Sequence, residues 1–386
     1  MPPRRTLALG NFFSAIHFYL IVYVIAPYLA TFMPADKTGL VVALGAVGTL
    51  AAFPLMPKLA GRYGAKRASI GTAFVVGVGL FILANQPPFW LAVLALAFVC
   101  ATSPFIQYFL DLLLEATNAA ASETGRVRTA FITAGNVALI AAPLLIGWLL
   151  DSGNEYWRVF LVAGISLAPF IALFSIEKLP EGMPAASHPK LIDTCKCMVQ
   201  DVDLRAASFG NLVLQLFYHL APLYIPLYLH SVLGIPWSEL GWMFMVMLLP
   251  FVLLEYPAGY IADRWLGDKE LLTIGFIIIG VAFGALGFVT STTPLYVIVL
   301  ILVTSRIGAA LVEAMVEGHF FRRVSAEDVN TVSVYRMARP LSALIAPVTA
   351  SIVLVMTESY FVFFVTSALV LIALGVLSAR QVQDIR

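Results

Sequence analysis

Twelve long stretches of apolar residues run through the chain, separated by polar connections. A helix needs roughly 20 mainly apolar residues to cross a bilayer, and each stretch is about that long. Only 12% of the residues are charged, whereas a soluble domain carries roughly 25%, so a water-soluble fold is excluded. We therefore predict an all-α membrane protein with twelve transmembrane helices, at residues 7–33, 38–57, 69–86, 88–113, 128–150, 157–176, 206–233, 237–260, 271–290, 294–318, 331–356 and 359–380.

Several function classes are excluded by what the sequence lacks. The net charge of +1 leaves no surplus of Lys and Arg to neutralise phosphates, so we expect no nucleic-acid partner. No phosphate-binding loop, His-Glu-x-x-His motif or nucleophile elbow is present, which argues against ATP-driven transport and against an enzyme. Cys195 and Cys197 lie near His188, but these three residues do not complete a tetrahedral metal site. We expect no metal and no other cofactor.

The placement of Lys and Arg predicts the orientation of the chain. With both termini in the cytoplasm, 18 of the 23 basic residues fall in segments on the inner side. Only Lys37 and Arg158 fall outside, and the remaining three lie within predicted helices. Inner loops of membrane proteins carry such an excess of positive charge. We therefore expect a multi-pass protein of the cell (plasma or inner) membrane, surrounded by lipid, with cytoplasmic N- and C-termini.

The two halves of the chain repeat each other. Residue pairs recur at an offset that stays between 200 and 204 across six helices. Six is an even number, so both halves enter the membrane from the same side and form a parallel repeat. We predict a six-helix bundle at 1–176, a cytoplasmic linker at 177–205 and a second bundle at 206–386. The recurring pairs include Gly10-Asn11 with Gly210-Asn211, Tyr28-Leu29 with Tyr228-Leu229, Ala142-Pro143 with Ala346-Pro347, and Phe160 with Phe363.

The loop after the second helix of each half resembles the signature of the major facilitator superfamily, Gly-x-x-x-Asp-Arg-x-Gly-Arg/Lys. The resemblance implies two six-helix bundles, a substrate site near the membrane midplane, and a loop that latches one conformation by charge pairing. In the second half it implies gating by Asp263 and Arg264. The first half has Gly61 where the family has Asp, so its latch must be weaker or use other groups. The matching residues are Gly259, Asp263, Arg264, Gly267 and Lys269 in the second half, and Gly61, Arg62, Gly64 and Lys66 in the first.

A narrower resemblance links the fourth helix to lactose permease-like proton symporters. Asp111-x3-Glu115 is followed by Arg126 and Arg128, at a spacing one residue shorter than in those proteins. The resemblance implies that Asp111 and Arg128 bind substrate. The alternative is that Glu115, Arg126 and Arg128 pair at the cytoplasmic mouth as part of the gate.

Ionisable residues inside predicted helices are the main functional signal. Each costs roughly 2.5–3.5 kcal/mol on insertion scales, so such residues are functional candidates. Arg306 lies near the middle of its helix, with Glu313 and Glu317 on the same face. Arg336 and Arg339 follow on the next helix. The functional interpretation is a substrate or proton site at Arg306 and Glu313, with Glu317, Arg336 and Arg339 in the gate; the alternative is an internally paired, stabilising network.

Polar residues on other helices extend the predicted pathway. In the family, the first helix of each half lines the cavity, although a Tyr or His there often only joins two helices. Glu255, late in the eighth helix, either carries a proton or pairs with Arg264 or Arg339. The remaining candidates for the pathway are His17 and Tyr23 in the first half and Gln215, Tyr218 and His219 in the second.

These features predict a secondary active transporter for a small polar or anionic organic solute, working by alternating access and coupled to protons. Carboxylates and His suit protons as the coupling ion, and a single chain suffices, so we expect a monomer. Efflux of amphipathic compounds by proton antiport is the alternative, because Ala142, Pro143 and Gly147 partly match the antiporter motif. A membrane sensor that does not transport is a third reading.

Overall fold

The structure is a computed structural model. It describes residues 3–119, 124–151, 153–179, 191–264, 267–324 and 329–382. Side chains are described in these ranges except at 118–119, 124–129, 191–192, 255–264 and 329–330.

Twelve helical segments in the described ranges are long and apolar enough to cross a membrane, which confirms the predicted number. The all-α fold class is confirmed as well, since no strand occurs in these ranges. The α-helices are α1 (Pro3–Val22), α2 (Ile25–Ala30), α3 (Thr38–Ala52), α4 (Met56–Tyr63), α5 (Ala65–Ala84), α6 (Phe89–Ala119), α7 (Thr124–Leu150), α8 (Tyr156–Ile176), α9 (Leu191–Gln200), α10 (Val202–Pro226), α11 (Trp237–Arg264), α12 (Asp268–Ala285), α13 (Leu295–Phe321), α14 (Val329–Arg336), α15 (Ala338–Thr357) and α16 (Tyr360–Gln381).

Three of the predicted spans are interrupted a few residues before a proline. Proline has no N–H to donate, and its ring collides with the carbonyl group four residues earlier. The first, second and eleventh spans are therefore each built from two helices rather than one. The prolines and the preceding helix ends are Pro27 (α1 ends at Val22), Pro57 (α3 ends at Ala52) and Pro340 (α14 ends at Arg336).

Asp201 separates the short linker helix α9 from α10. Its carboxylate accepts hydrogen bonds from the backbone N–H groups of Asp203 (2.9 Å) and Leu204 (3.0 Å). A side chain that caps two free N–H groups in this way starts a new helix. The chain from Leu191 to Pro226 therefore forms two helices, and α10 begins at Val202, inside the predicted linker 177–205.

The chain divides into two compact units. Unit 1 contains Met1–Ala186 and Leu229–Met245, and unit 2 contains Ser187–Tyr228 and Val246–Arg386. Helix α11 therefore starts in unit 1 and continues in unit 2. Within unit 1, a Cβ added at Gly241 of α11 would lie 2.9 Å from the Cα of Gly147 and from the carbonyl oxygen of Pro143 on α7.

The internal repeat is visible in equivalent hydrogen bonds. In unit 1 the side-chain amide of Asn11 donates to the carbonyl oxygen of Phe131 at 2.8 Å. In unit 2 the amide of Asn211 donates to the carbonyl oxygen of Tyr335 at 3.2 Å. Both asparagines are buried, on the first helix of their half, and both bonds reach the helix that begins the fifth span. The same polar contact thus holds the same pair of helices in each unit.

Aromatic contacts repeat in the same way and refine the alignment. Tyr28 packs against Tyr156 (5.8 Å between ring centres) and Phe160 (4.8 Å). Its counterpart Tyr228 packs against Tyr360 (5.1 Å) and Phe364 (5.3 Å). Phe364, and not Phe363 as the sequence alignment suggested, therefore occupies the position of Phe160 against this tyrosine.

Candidate functional site

Arg306 lies near the middle of α13 and is 3% exposed. Its guanidinium carbon lies 4.9 Å from the centre of the Phe217 ring on α10. The face of an aromatic ring attracts a cation, and the attraction grows when water is excluded. The ring therefore helps to hold a permanent positive charge in the interior of unit 2.

Tyr218 and Glu313 form the second part of the cluster. The Tyr218 hydroxyl donates a hydrogen bond of 2.7 Å to the Glu313 carboxylate, which joins α10 to α13. Tyr218 also lies within electrostatic range of Arg306. A tyrosine, a carboxylate and a guanidinium thus share one region of unit 2, close to Phe217. Of the sequence-predicted residues, the structure brings together Arg306, Glu313 and Tyr218.

His219 and Gln215 lie beside this cluster on α10. The Nδ1 atom of His219 is 2.8 Å from the carbonyl oxygen of Gln215 and 3.0 Å from the hydroxyl oxygen of Ser342 on α15. The Gln215 amide lies 3.5 Å from the side-chain oxygen of Asn211. Polar groups from α10, α13 and α15 therefore meet within unit 2. Ser342 was not among the predicted residues, because a lone Ser in an apolar helix is common.

A small cavity of about 10 Å³ lies next to these residues in unit 2. This volume is close to the minimum that holds one water molecule. Charged residues of the predicted gate, Glu317, Arg336 and Arg339, contribute to its wall, so the structure brings these three together. The wall also contains Asn211, Gln215, Phe321 and Tyr335.

A second charged cluster, which the sequence analysis missed, lies at the ends of three helices of unit 2. His319, in the last turn of α13, is fully buried between Asp203 of α10 and Asp268 of α12. Arg322 pairs with Asp268, and Arg323 pairs with Asp203 at 2.8 Å. We call these five residues the His319 cluster. Acids at helix starts and a His at a helix end fit the helix dipole, and this pattern was the available signal.

The predicted pathway residues His17 and Tyr23 of unit 1 contact neighbouring helices. The Nδ1 atom of His17 bonds the carbonyl oxygen of Ser14 in the same helix, and Nε2 lies 3.4 Å from the Ser103 hydroxyl on α6. The Tyr23 ring stacks on Phe244 at 5.3 Å. These contacts join helices within unit 1.

Asp111, Glu115 and Arg62 are the charged candidates of unit 1 whose side chains the structure describes. Asp111 accepts a hydrogen bond of 3.2 Å from the Gln107 amide, one turn earlier in α6. Glu115 is exposed, and the Arg62 guanidinium lies 5.3 Å from the ring of its neighbour Tyr63.

Several predicted site residues lie outside the described side chains. Gly267 is described, at the start of α12, where its extended backbone precedes the first helical residue. In the described part of the chain, no group of three His, Cys, Asp or Glu residues could hold a metal ion. The candidates whose side chains are not described are Arg126, Arg128, Glu255, Gly259, Asp263 and Arg264.

The sequence matches the family description Major Facilitator Superfamily over residues 7–236 and again over 207–383, which together span nearly the whole chain. The chain belongs to the major facilitator superfamily. The resemblance noted in the loop motif is thereby confirmed. As a member of this superfamily the protein is a multi-pass membrane transporter and not an enzyme. No curated protein matches the sequence.

Solved structures of superfamily transporters share the fold. The nucleoside transporter NupG has a TM-score of 0.76 at 12% identity, with 98% of each chain covered. PepTSo, a transporter of the POT family, has a TM-score of 0.79 at 14% identity, covering 98% of this chain and 97% of its own. An auto-inhibited POT family peptide transporter has a TM-score of 0.77 at 15% identity, covering 100% and 98%. At identities this low, the structural similarity shows that the fold is shared and indicates nothing about the substrate.

Proposed function

We propose that the protein is a secondary active transporter that moves a small anionic or polar organic solute by alternating access, coupled to protons. The observation that carries the proposal is the buried Arg306 over the Phe217 ring. Arg stays protonated at every physiological pH, so its charge attracts the anionic group of a solute. In a water-poor interior this attraction is much stronger than at the surface.

The Tyr218–Glu313 pair is the proposed proton-carrying group. A carboxylate within a membrane helix can be neutralised by binding a proton, and such groups mark proton pathways in transporters. Tyr218 interacts electrostatically with both Glu313 and Arg306, so the two charges lie near the same hydroxyl group. A solute anion that binds Arg306 therefore changes the electrostatic environment of Glu313. Proton-dependent oligopeptide transporters share the fold, which supports the choice of ion.

The remaining predicted residues have proposed roles around this centre. His219 and Gln215 line the solute pathway, and Glu317, Arg336 and Arg339 form its gate. The distribution of basic residues supports cytoplasmic termini and an inner-side linker. Under this orientation the His319 cluster faces the cytoplasm. A monomer is sufficient for all of these roles.

A ligand screen tests the solute class. Detergent-purified protein is heated with organic anions, zwitterions, nucleosides, short peptides and lipophilic cations, and the shift in unfolding temperature is recorded. We expect stabilisation by one anionic or zwitterionic class, loss of that shift in Arg306→Ala, and retention in Arg158→Ala, whose exposed guanidinium pairs with Glu155. Arg306→Ala protein that keeps the full shift contradicts the proposal. Stabilisation by lipophilic cations alone supports the efflux alternative.

A transport assay tests proton coupling separately. The solute identified above is added outside proteoliposomes, and its uptake is followed with and without an inward proton gradient. We expect the gradient to drive accumulation in the unaltered protein. Glu313→Gln should still exchange solute across the membrane at equal concentrations, but should not accumulate it. Gradient-driven accumulation by Glu313→Gln rules out Glu313 as the proton carrier and leaves the solute site untouched.

A further inference from the structure

The His319 cluster has a hydrogen-bond pattern that fixes where protons must be. The Nδ1 atom of His319 is 3.0 Å from an oxygen of Asp268, and Nε2 is 3.4 Å from an oxygen of Asp203. Ionised carboxylates only accept hydrogen bonds, and a neutral imidazole has a single N–H to donate. With ionised carboxylates, both contacts are hydrogen bonds only when both ring nitrogens carry hydrogen.

Burial raises the free-energy cost of leaving either of these hydrogen bonds unmade. His319 is fully buried, and Asp203 and Asp268 are 5% and 8% exposed. Water therefore cannot easily replace a missing donor, and an unsatisfied buried polar group costs about 1–3 kcal/mol. A neutral His319 would leave one nitrogen lone pair facing a carboxylate oxygen, which is repulsive.

The surrounding charges come from every element of the cluster. Helix α10 contributes Asp203, α12 contributes Asp268, and the end of α13 contributes Arg322 and Arg323. Each carboxylate also has an arginine partner: Arg323 contacts the other oxygen of Asp203, whereas Arg322 shares the Asp268 oxygen that faces His319. In their ionised form both acids accept hydrogen bonds from the imidazole and from the arginines.

Two neighbouring charges on these helices are directed elsewhere. Arg205 donates to the carbonyl oxygen of Val199 (3.0 Å) and to the side chain of Gln381 (3.4 Å). Glu317, two residues before His319 in α13, lines the small cavity instead. The imidazole itself contacts the two aspartates, one at each ring nitrogen.

We infer that His319 is a proton-binding site, separate from Arg306 and Glu313, whose proton ties together the ends of α10, α12 and α13. Release of the proton removes one of the two bonds and loosens the three helix ends. Under the proposed orientation the ligand is a proton from the cytoplasm. The inference does not depend on the solute or on Glu313.

Hydrogen exchange measured by mass spectrometry on the full-length protein in detergent tests this inference. Exchange is recorded at about pH 6 and about pH 8.5, on either side of the usual titration range of His, and is corrected for the intrinsic pH dependence of amide exchange. We expect protection of peptides covering 202–206, 267–272 and 316–324 to fall about ten-fold at the higher pH, the equivalent of one charged hydrogen bond. Equal protection at both pH values in the unaltered protein overturns the inference.

Variants locate the effect. His319→Gln should show the same protection at both pH values, whereas His230→Gln, with its histidine elsewhere in the chain, should keep the response of the unaltered protein. If His319→Gln does not fold, Asp203→Asn serves instead, because its amide can donate to a neutral imidazole and so should remove most of the pH response. A full pH response in either His319→Gln or Asp203→Asn overturns the inference.

Discussion

The Tyr218 hydroxyl donates a 2.7 Å hydrogen bond to the Glu313 carboxylate, across 95 positions of the chain. The bond joins α10 to α13 in the unit that also contains every Asp, Glu, Lys and Arg that is buried among the described side chains, namely Arg306, Asp203 and Asp268. The bond therefore holds the two helices together, and a proton on Glu313 would change its strength.

A double-mutant cycle measures this bond. Tyr218→Phe and Glu313→Gln are made singly and together, and the free energy of unfolding is measured in mixed micelles. A hydrogen bond to a charged group is worth about 1.5–3 kcal/mol, and we expect an interaction energy of about that size. Single losses that simply add in the double variant would contradict a direct bond.

The repeat-related asparagines offer a second prediction. Asn11→Ala and Asn211→Ala each remove a buried amide that bonds a backbone carbonyl group. We expect each to lower the free energy of unfolding by about 1–3 kcal/mol, because the carbonyl oxygen loses its donor. Asn85→Ala, on an exposed helix end, is the control and should be close to neutral. If one of the two buried variants is neutral, the two contacts are not equivalent in energy.

Two glycines, Gly275 of α12 and Gly308 of α13, allow these helices to pack closely. A Cβ at Gly308 would lie 2.7 Å from the carbonyl oxygen of Gly275, and a Cβ at Gly275 would lie 2.6 Å from a Val312 methyl group. We expect Gly308→Ala to destabilise unit 2 by about 1–3 kcal/mol through overpacking. Gly71→Ala, where no atom lies within 4 Å of an added Cβ, should be neutral or stabilising. Thermal unfolding in detergent compares the two, and equal unfolding temperatures would refute the close approach.

We expect His230 to stabilise the segment 229–236, which belongs to unit 1. Its Nε2 lies 2.8 Å from the Asn154 side chain, its Nδ1 lies 2.9 Å from the Ile235 carbonyl oxygen, and its ring packs on Trp237. We expect His230→Ala to speed hydrogen exchange at 229–236 by about ten-fold, since two hydrogen bonds are lost. Exchange at 316–324 serves as the internal control and should not change. Unchanged exchange at 229–236 would show that other contacts hold the segment.

The fold was largely predictable because lipid imposes one requirement on every span. Each span must be apolar for its whole length, so the twelve helices could be read directly from hydrophobic stretches. Their interruptions were harder to predict. Pro104 and Pro143 lie inside unbroken helices, whereas the helices break before Pro27 and Pro340. Whether neighbouring helices satisfy the freed carbonyl group is a tertiary property that the sequence does not reveal.

The candidate site was predictable where a charged residue lies within an apolar stretch of the sequence. Arg306 stood out because a cation in the middle of an apolar helix is costly. His319, Asp203 and Asp268 did not, since polar residues near the ends of spans look like ordinary interfacial residues. Only the packing of α10, α12 and α13 shows that these three are buried together. The roles proposed for Arg128, Glu255 and Asp263 remain predictions.

The assignment of Leu229–Met245 to unit 1 bears on how the protein could be encoded by two genes. A first polypeptide ending in the linker would lack the residues that Tyr23 and Gly147 pack against, namely Phe244 and Gly241. Both contacts could then form only with the product of the second gene. The two polypeptides would have to associate before the packing around Tyr23 and Gly147 is complete.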